Sequence, residues 1–410
     1  MYKVLLMALF LVLGASVAGA TDPVCMSETN TFTSKVDLFA GELGYFMFEE
    51  CGNVINPTIG IPVDETVTFL QSDRSNYYHP LGFAYLPDGA HESVDELEPT
   101  VTPPGTTSPC ADTATCPAPM YFLNNEYLGT YSQSSPLAST DQENFGLDEY
   151  EPLFFHPMPD WVGYGNFSVK LLFPETTSYE KDIFYFCHIH NHMSGRIKLL
   201  KNGNPIRPEV DEPALEDNYY KPSTSDHDKK CGTYNLKPIA EYGNHCPSSF
   251  VCDLEADDDP KVKDFVSCLD SMNCAMFHGM TTPKTDDIKS LFMVQMIPHH
   301  QNAVNMAKAL LVQGVLDCPD LSVESDDCAV EILLRTIIND QNAQIQMMQG
   351  YLDTHVTSSQ LSSPLLDNCV GEKWPMQQEA SKNTSGAISF VAAGQVIFVS
   401  TMVLLLSFAN

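Results

Sequence analysis

The sequence predicts a multidomain β-plus-α protein, a β-sandwich followed by a helical bundle. Two textures and the break between them carry this. From about Phe32 to Lys201, aromatic and β-branched runs alternate with Gly, Pro and Asn turns, the mark of short strands. From Asp264 to about His355, apolar residues recur at helical spacing with few breakers. Between them, Asn202 to Pro260 is rich in Pro, Asp, Glu and Ser. A chain of 410 residues is long enough for two sizeable cores. The expected order is a leader at 1–20, a β domain with an insertion at 21–205 and a disulfide-bearing linker at 206–255. A helical domain at 256–357, a stalk at 358–386 and an apolar anchor signal at 387–410 complete it.

Each element has its own signal. Lys3, the apolar run Val4 to Leu13 and the small end Ala18-Gly19-Ala20 read as a secretory signal peptide. Glu65 to Leu70 alternates as a half-buried strand does, and Asn166 to Phe173 reads as another. Asn166-Phe167-Ser168 and Asn383-Thr384-Ser385 are N-glycosylation sequons. Pro87 to Tyr150 reads largely as an insertion, stapled by Cys110 and Cys116. Helices are expected over Val262–Phe277, Ile288–Val312 and Val330–Leu352, with Thr285 capping the second and Pro298 kinking or restarting it. Ile388 to Ala409 is apolar, and small residues stand just before it. This pattern predicts a glycosylphosphatidylinositol anchor, with a single membrane-spanning helix as the alternative. Either places the protein at the cell surface.

The net charge of −32, from 53 acidic and 21 basic residues, excludes a nucleic-acid-binding role, which needs Lys and Arg. Thirteen cysteines in a secreted chain imply disulfides, and the odd count leaves one over. If Cys187 is a metal thiolate, twelve remain for six bridges. Cys25 with Cys51, Cys110 with Cys116, and Cys318 with Cys328 are the plausible local pairs.

The densest chemistry lies in FYFCHIHNHMSGRI, Phe184 to Ile197. Cys187, His188, His190, His192 and Met193 crowd into one loop between an apolar run and an alternating segment. Thiolate, imidazole and thioether together suit copper. Upstream, a polar turn leads through His79 into an apolar strand. This arrangement resembles the cupredoxins (blue copper proteins), which implies a Greek-key sandwich holding type 1 copper. The resemblance assigns His79 and Cys187 as ligands and leaves two registers for the rest. Cys187-x2-His190-x2-Met193 is the short spacing of electron-transfer cupredoxins and supplies an axial sulfur. Cys187-x4-His192 with Ile197 axial is the multicopper-oxidase spacing. The oxygen-reducing cluster of those oxidases needs further histidines where this chain has Gly82, Ala84 and Phe186, so oxygen reduction is not expected.

A second resemblance rests on Phe292 to Leu310, FMVQMIPHHQNAVNMAKAL, and Ile337 to Leu352, IINDQNAQIQMMQGYL, with His278-Gly279-Met280 upstream. These segments resemble the DUF305 family, a helical (ferritin-like) bundle, some members of which bind copper through Met and His. Gln344 stands where the family carries an acidic residue. Met293, Met296 and His300 fall at i, i+3 and i+7, with His299 and Met306 on an adjacent face. A Met stripe by itself is ordinary core filler. With His278, Met280 and Met348 these residues make a candidate Cu(I) site. The expected function is therefore a surface-anchored copper-binding protein, for sequestration, delivery or one-electron transfer with a partner protein. The alternative is a copper-dependent surface oxidoreductase, a cuproxidase or metal reductase.

Overall fold

A computed structural model describes residues 24–356, apart from 102–116, 132–143, most of 208–224 and a few short loop stretches. The leader, the Cys110–Cys116 staple, Asn383, the stalk and the anchor signal lie outside the described residues. Among the described residues, no helix is long and apolar enough to cross a membrane.

The first half forms two sheets. Its strands are β1 (Cys25–Met26), β2 (Thr31–Asp37), β3 (Tyr45–Phe48), β4 (Ile59–Pro62), β5 (Thr66–Leu70) and β6 (Leu81–Ala84), then β7 (Met120–Leu123), β8 (Glu126–Tyr127), β9 (Phe167–Leu172), β10 (Ile183–Cys187), β11 (Ser194–Lys201) and β12 (Asn204–Pro205). One sheet runs β1-β4-β11-β10-β6, with β12 on β11; the other runs β3-β2-β5-β9-β7-β8. Parallel pairs (β1/β4, β4/β11, β2/β5) sit among antiparallel ones.

Alternation explains the packing. In β2 the even positions Phe32, Ser34 and Val36 are buried, and in β5 Val67 and Phe69 are. Their rings meet Phe48 on neighbouring β3, and Phe69 meets Phe83 of the other sheet; Phe32 is stacked on Phe69 at 5.6 Å and Phe48 is edge-on to Tyr185 of the other sheet at 5.2 Å. Such pairs add about 0.5–1.5 kcal/mol each beyond the area they bury. Strand β10 is buried on both faces. Ile183, Tyr185 and Cys187 share its inner face, while Phe184 and Phe186 share the other.

The reading of 87–150 as an insertion needs correction. Met120 to Leu123 pairs with β9 over four residues, so it is an integral strand of the second sheet. Short helices α1 (Leu147–Tyr150) and α2 (Met158–Tyr164) then bring Tyr150 and Trp161 into an aromatic cluster around Phe154 and Phe167.

The second half contains α3 (Asp226–Cys231), α4 (Pro260–Gly279), α5 (Ile288–Val312) and α6 (Asp326–His355). Helix α5 runs unbroken through Pro298. Its N-cap is Asp287, which accepts from the Ser290 amide; the Thr285 hydroxyl instead donates to the Asp287 carbonyl. Disulfides Cys231–Cys268 and Cys246–Cys274 tie the linker region to α4, and Cys25–Cys51 and Cys318–Cys328 close local loops. Among the described residues, Cys187 and Cys252 are outside any disulfide, Cys187 buried and Cys252 exposed.

Candidate metal centre

The site forms where β10 ends and the segment before β6 passes over it. A buried hydrogen-bond frame fixes His79. Gln71 donates to the His79 carbonyl (2.8 Å) and accepts from the Leu81 amide (2.9 Å), so one side chain pins the backbone on both sides of the imidazole. The His79 amide donates to the Asn76 carbonyl at 2.8 Å, and the Asn76 side chain is locked to Ser34. On the other strand, Cys187 pairs with Leu81, and its amide donates to the Met193 carbonyl, closing the loop 188–193. That loop turns through a left-handed His192 (φ 61°). Gly195 is needed just beyond it, because a Cβ there would lie 2.0 Å from the Tyr185 ring.

Three donor atoms converge. Cys187 Sγ lies 3.7 Å from His79 Nδ1 and 3.6 Å from His190 Nδ1, and the two nitrogens are 3.2 Å apart. All three residues are fully buried. A first-row metal ion centred among them, with bonds of about 2.0 Å to nitrogen and 2.3 Å to sulfur, would space its donors about 3.5 and 3.7 Å apart. The triangle therefore fits a near-trigonal ion. Met193 is also wholly buried, next to the strand that follows. His192 is not brought in. Its ring is 61% exposed and faces Asp88 at 3.6 Å, and its amide donates to the same carboxylate.

Burial sets the proton chemistry. It pushes the Cys187 thiol up to about 12 and the His190 imidazole down to about 3; His79 is lowered too, by burial first and then by His190. The two imidazoles are thus neutral and ready to ligate, while the thiol must give up its proton when a metal binds.

Around the thiol, the structure gives His188 of the loop its partners and adds His91, which no sequence pattern singled out. His91 is hydrogen-bonded through Nε2 to the Cys187 carbonyl (2.8 Å). His188 packs over Gly82, where a Cβ would sit 2.3 Å from its ring, and lies between Glu96 (3.6 Å) and Glu151 (3.9 Å). No local signal marks these partners; they meet only because β6 and β10 are adjacent. His156 instead contacts Tyr164 away from the site.

Those carboxyls make stability depend on pH. Burial, then Glu98 and Glu151, pushes Glu96 up to about 8; burial, then Asp148, pushes Glu151 up to about 7. An acid raised in the folded state contributes stability that is complete below its ordinary value of 4.5 and lost as pH rises to its folded value. The lowered imidazoles act in the opposite sense, but only below 6.5. Between about pH 6.5 and 8 the carboxyls dominate, so the thermal midpoint of the metal-free protein falls across that window. Glu96→Gln flattens the slope. A wild-type midpoint that stays level or rises contradicts this placement of Glu96.

The helical residues are less gathered. Met293 and Met296 are half-buried on α5, Met348 is buried on α6, and His299 and Met306 are exposed. His300 is half-buried, with Nδ1 buried and without a hydrogen-bond partner among the described residues. The Met280 carbonyl accepts from Gln295 at 2.7 Å. His278 lies beside Cys246 and Cys274, which are joined to each other rather than open to a metal. Met276, which the sequence reading passed over, takes a contact from Asn302 at 3.3 Å. It belongs to a Met272, Met276, Met280 row at i, i+4 and i+8 that runs along α4 to its C-cap, a spacing readable from sequence.

A two-sheet β unit with a buried Cys-His-His triangle, joined to a helical unit, is the class that fold and site define. Residues 292–393 match a family described as Domain of unknown function (DUF305). The match begins inside α5, so α4, His278 and Met280 precede it. No curated protein and no solved structure matches the chain.

Proposed function

We propose that this chain is an extracellular, surface-anchored copper protein whose β unit is a cupredoxin holding type 1 copper through His79, Cys187 and His190, with Met193 as the axial ligand. The carrying observation is the buried triangle of one thiol sulfur and two imidazole nitrogens. Its donors suit copper by softness and by their near-trigonal spacing. Bound copper supplies a one-electron couple. The chain's own residues exclude water, hold the imidazoles neutral and keep the donors in place through Gln71, Asn76 and the β10–β11 pairing. A preformed, enclosed site suits electron transfer, because little has to move when the charge changes.

A second ion, as Cu(I), is proposed at His300 with Met296 and Met293 on the same face of α5, supported by the buried Nδ1 of His300. Export through the leader, glycosylation at exposed Asn166 and a C-terminal tether belong to the same reading.

The test loads the secreted body with Cu(II) and reads the visible spectrum and metal content together. The expected result is an intense thiolate-to-copper band from one ion, plus a second, colourless equivalent under reducing conditions that His300→Ala removes. Copper uptake without the band defeats the type 1 assignment.

A further inference from the structure

The imidazole edges of the site do not face solvent. They face α6. Arg74 pairs with Glu331 (3.2 Å) and donates to the Cys318 and Pro319 carbonyls, anchoring the start of this contact. Tyr77 and Tyr78, just before His79, engage Thr336 and Asp340. Asn339 donates through Nδ2 to the Tyr77 carbonyl at 3.2 Å. Two turns on, with the Gln346 side-chain nitrogen and oxygen assigned by the partners they face, the nitrogen donates to the Ile189 carbonyl (3.2 Å) and the oxygen accepts from the Asn191 amide (3.0 Å), so the side chain grips the ligand loop on both sides of His190. Residues 339 and 346 are seven apart and share one face of the helix.

A match of unused groups stands out at this contact. The metal-facing atoms of both imidazoles are Nδ1, so with a metal bound each ring carries its hydrogen on Nε2. Both Nε2 atoms are buried without a hydrogen-bond partner among the described residues, and so is Asn339 Oδ1. Asn339 is close enough to act on both rings, on His79 through its side chain and on His190 through its backbone, although neither contact closes to hydrogen-bond length. Ligand histidines normally donate their second ring hydrogen to such an outer acceptor, which fixes tautomer and ring orientation.

We propose that the helical unit completes the copper centre: Asn339 of α6 is the positioning residue for the ligand imidazoles, and Gln346 clamps the ligand loop shut. This rests on the copper reading above. It makes α6 part of the metal site and closes the imidazole edge to solvent and to direct approach by a partner.

The experiment compares wild type, Asn339→Leu and Gln346→Ala as full-length secreted chains. In the metal-free proteins, the rate of Cys187 modification by a small thiol reagent is followed by peptide mapping, with the same chain unfolded in denaturant as the reference. Both variants are expected to react about tenfold faster at Cys187, the effect of losing one buried hydrogen bond. In the copper-loaded proteins, Asn339→Leu is expected to shift the visible band and the electron paramagnetic resonance parameters, while Gln346→Ala leaves them as in wild type. A purely structural contact would not separate the two variants in this way. Unchanged Cys187 rates in both, with circular dichroism intact, overturn the closure. An unshifted spectrum in Asn339→Leu overturns the positioning role. A wild type that takes up no copper overturns the underlying reading instead, and the metal-free labelling still reports on closure.

Discussion

Cys187→Ser is expected to abolish the thiolate-to-copper band and to weaken Cu(II) binding by at least about a hundredfold, the upper end of what losing even an outer partner costs. Serine keeps the shape but offers a hard oxygen that is not deprotonated near neutral pH. Two buried imidazoles remain, 3.2 Å apart, and two nitrogens alone hold copper poorly in a site closed to water. The pattern across the loop matters as much as the single variant. His190→Ala should lose the band, because Nδ1 lies 3.6 Å from the sulfur. His192→Ala should keep it, because that exposed ring lies against Asp88 and away from the sulfur. Titration with Cu(II) followed by visible absorption separates these outcomes. A Cys187→Ser protein that retains the band, or a His192→Ala protein that loses it, contradicts the assignment.

Asp182→Ala is expected to destabilise the β unit by about 3–5 kcal/mol, read from the urea midpoint. Asp182 sits at the far end of β10 and accepts from both Arg196 (2.6 Å) and Lys198 (2.8 Å). All three side chains are buried. Removing the carboxylate takes away the anion that two buried cations share, and breaking a buried ion pair from one side costs more than the pair contributes when intact. Arg196 also lies over the Phe184 ring, at 5.1 Å from its centroid. Asp182→Asn should fall between wild type and alanine, since it keeps hydrogen-bonding capacity without the charge. The copper spectrum should survive in both, because the triad lies at the opposite end of the strand from Cys187. A loss below about 1 kcal/mol would mean that water reaches the triad.

Local order was open to a sequence reading because it is written in nearest neighbours. Alternation in Glu65–Leu70 and Phe167–Phe173 and the helical repeat of α4, α5 and α6 are properties of a few consecutive residues. The loop Cys187 to Met193 fell into the same category, since its donors are close in the chain. The β-plus-α class and the family match at 292–393 follow from these signals.

What joins distant residues was not local. The N-cap of α5 moved from Thr285 to Asp287 because an Asp side chain two positions later reaches the free amide of Ser290. Met120–Leu123 joined the second sheet by pairing with β9, more than forty residues on, on one edge and with β8 on the other. Two disulfides reached from the linker region into α4, a connectivity that spacing does not encode.

The sequence by itself determined the two textures, the soft-donor loop and the strand that carries His79 towards it. Tertiary structure alone decided that His190 and not His192 enters the triangle, because the turn through His192 sends that ring outward to Asp88. It alone placed His188 between Glu96 and Glu151, and laid α6 with Asn339 and Gln346 against the imidazole edges. The reason is physical. Side-chain period fixes which face a residue occupies, but which surfaces meet depends on closing long loops and matching buried polar groups across them.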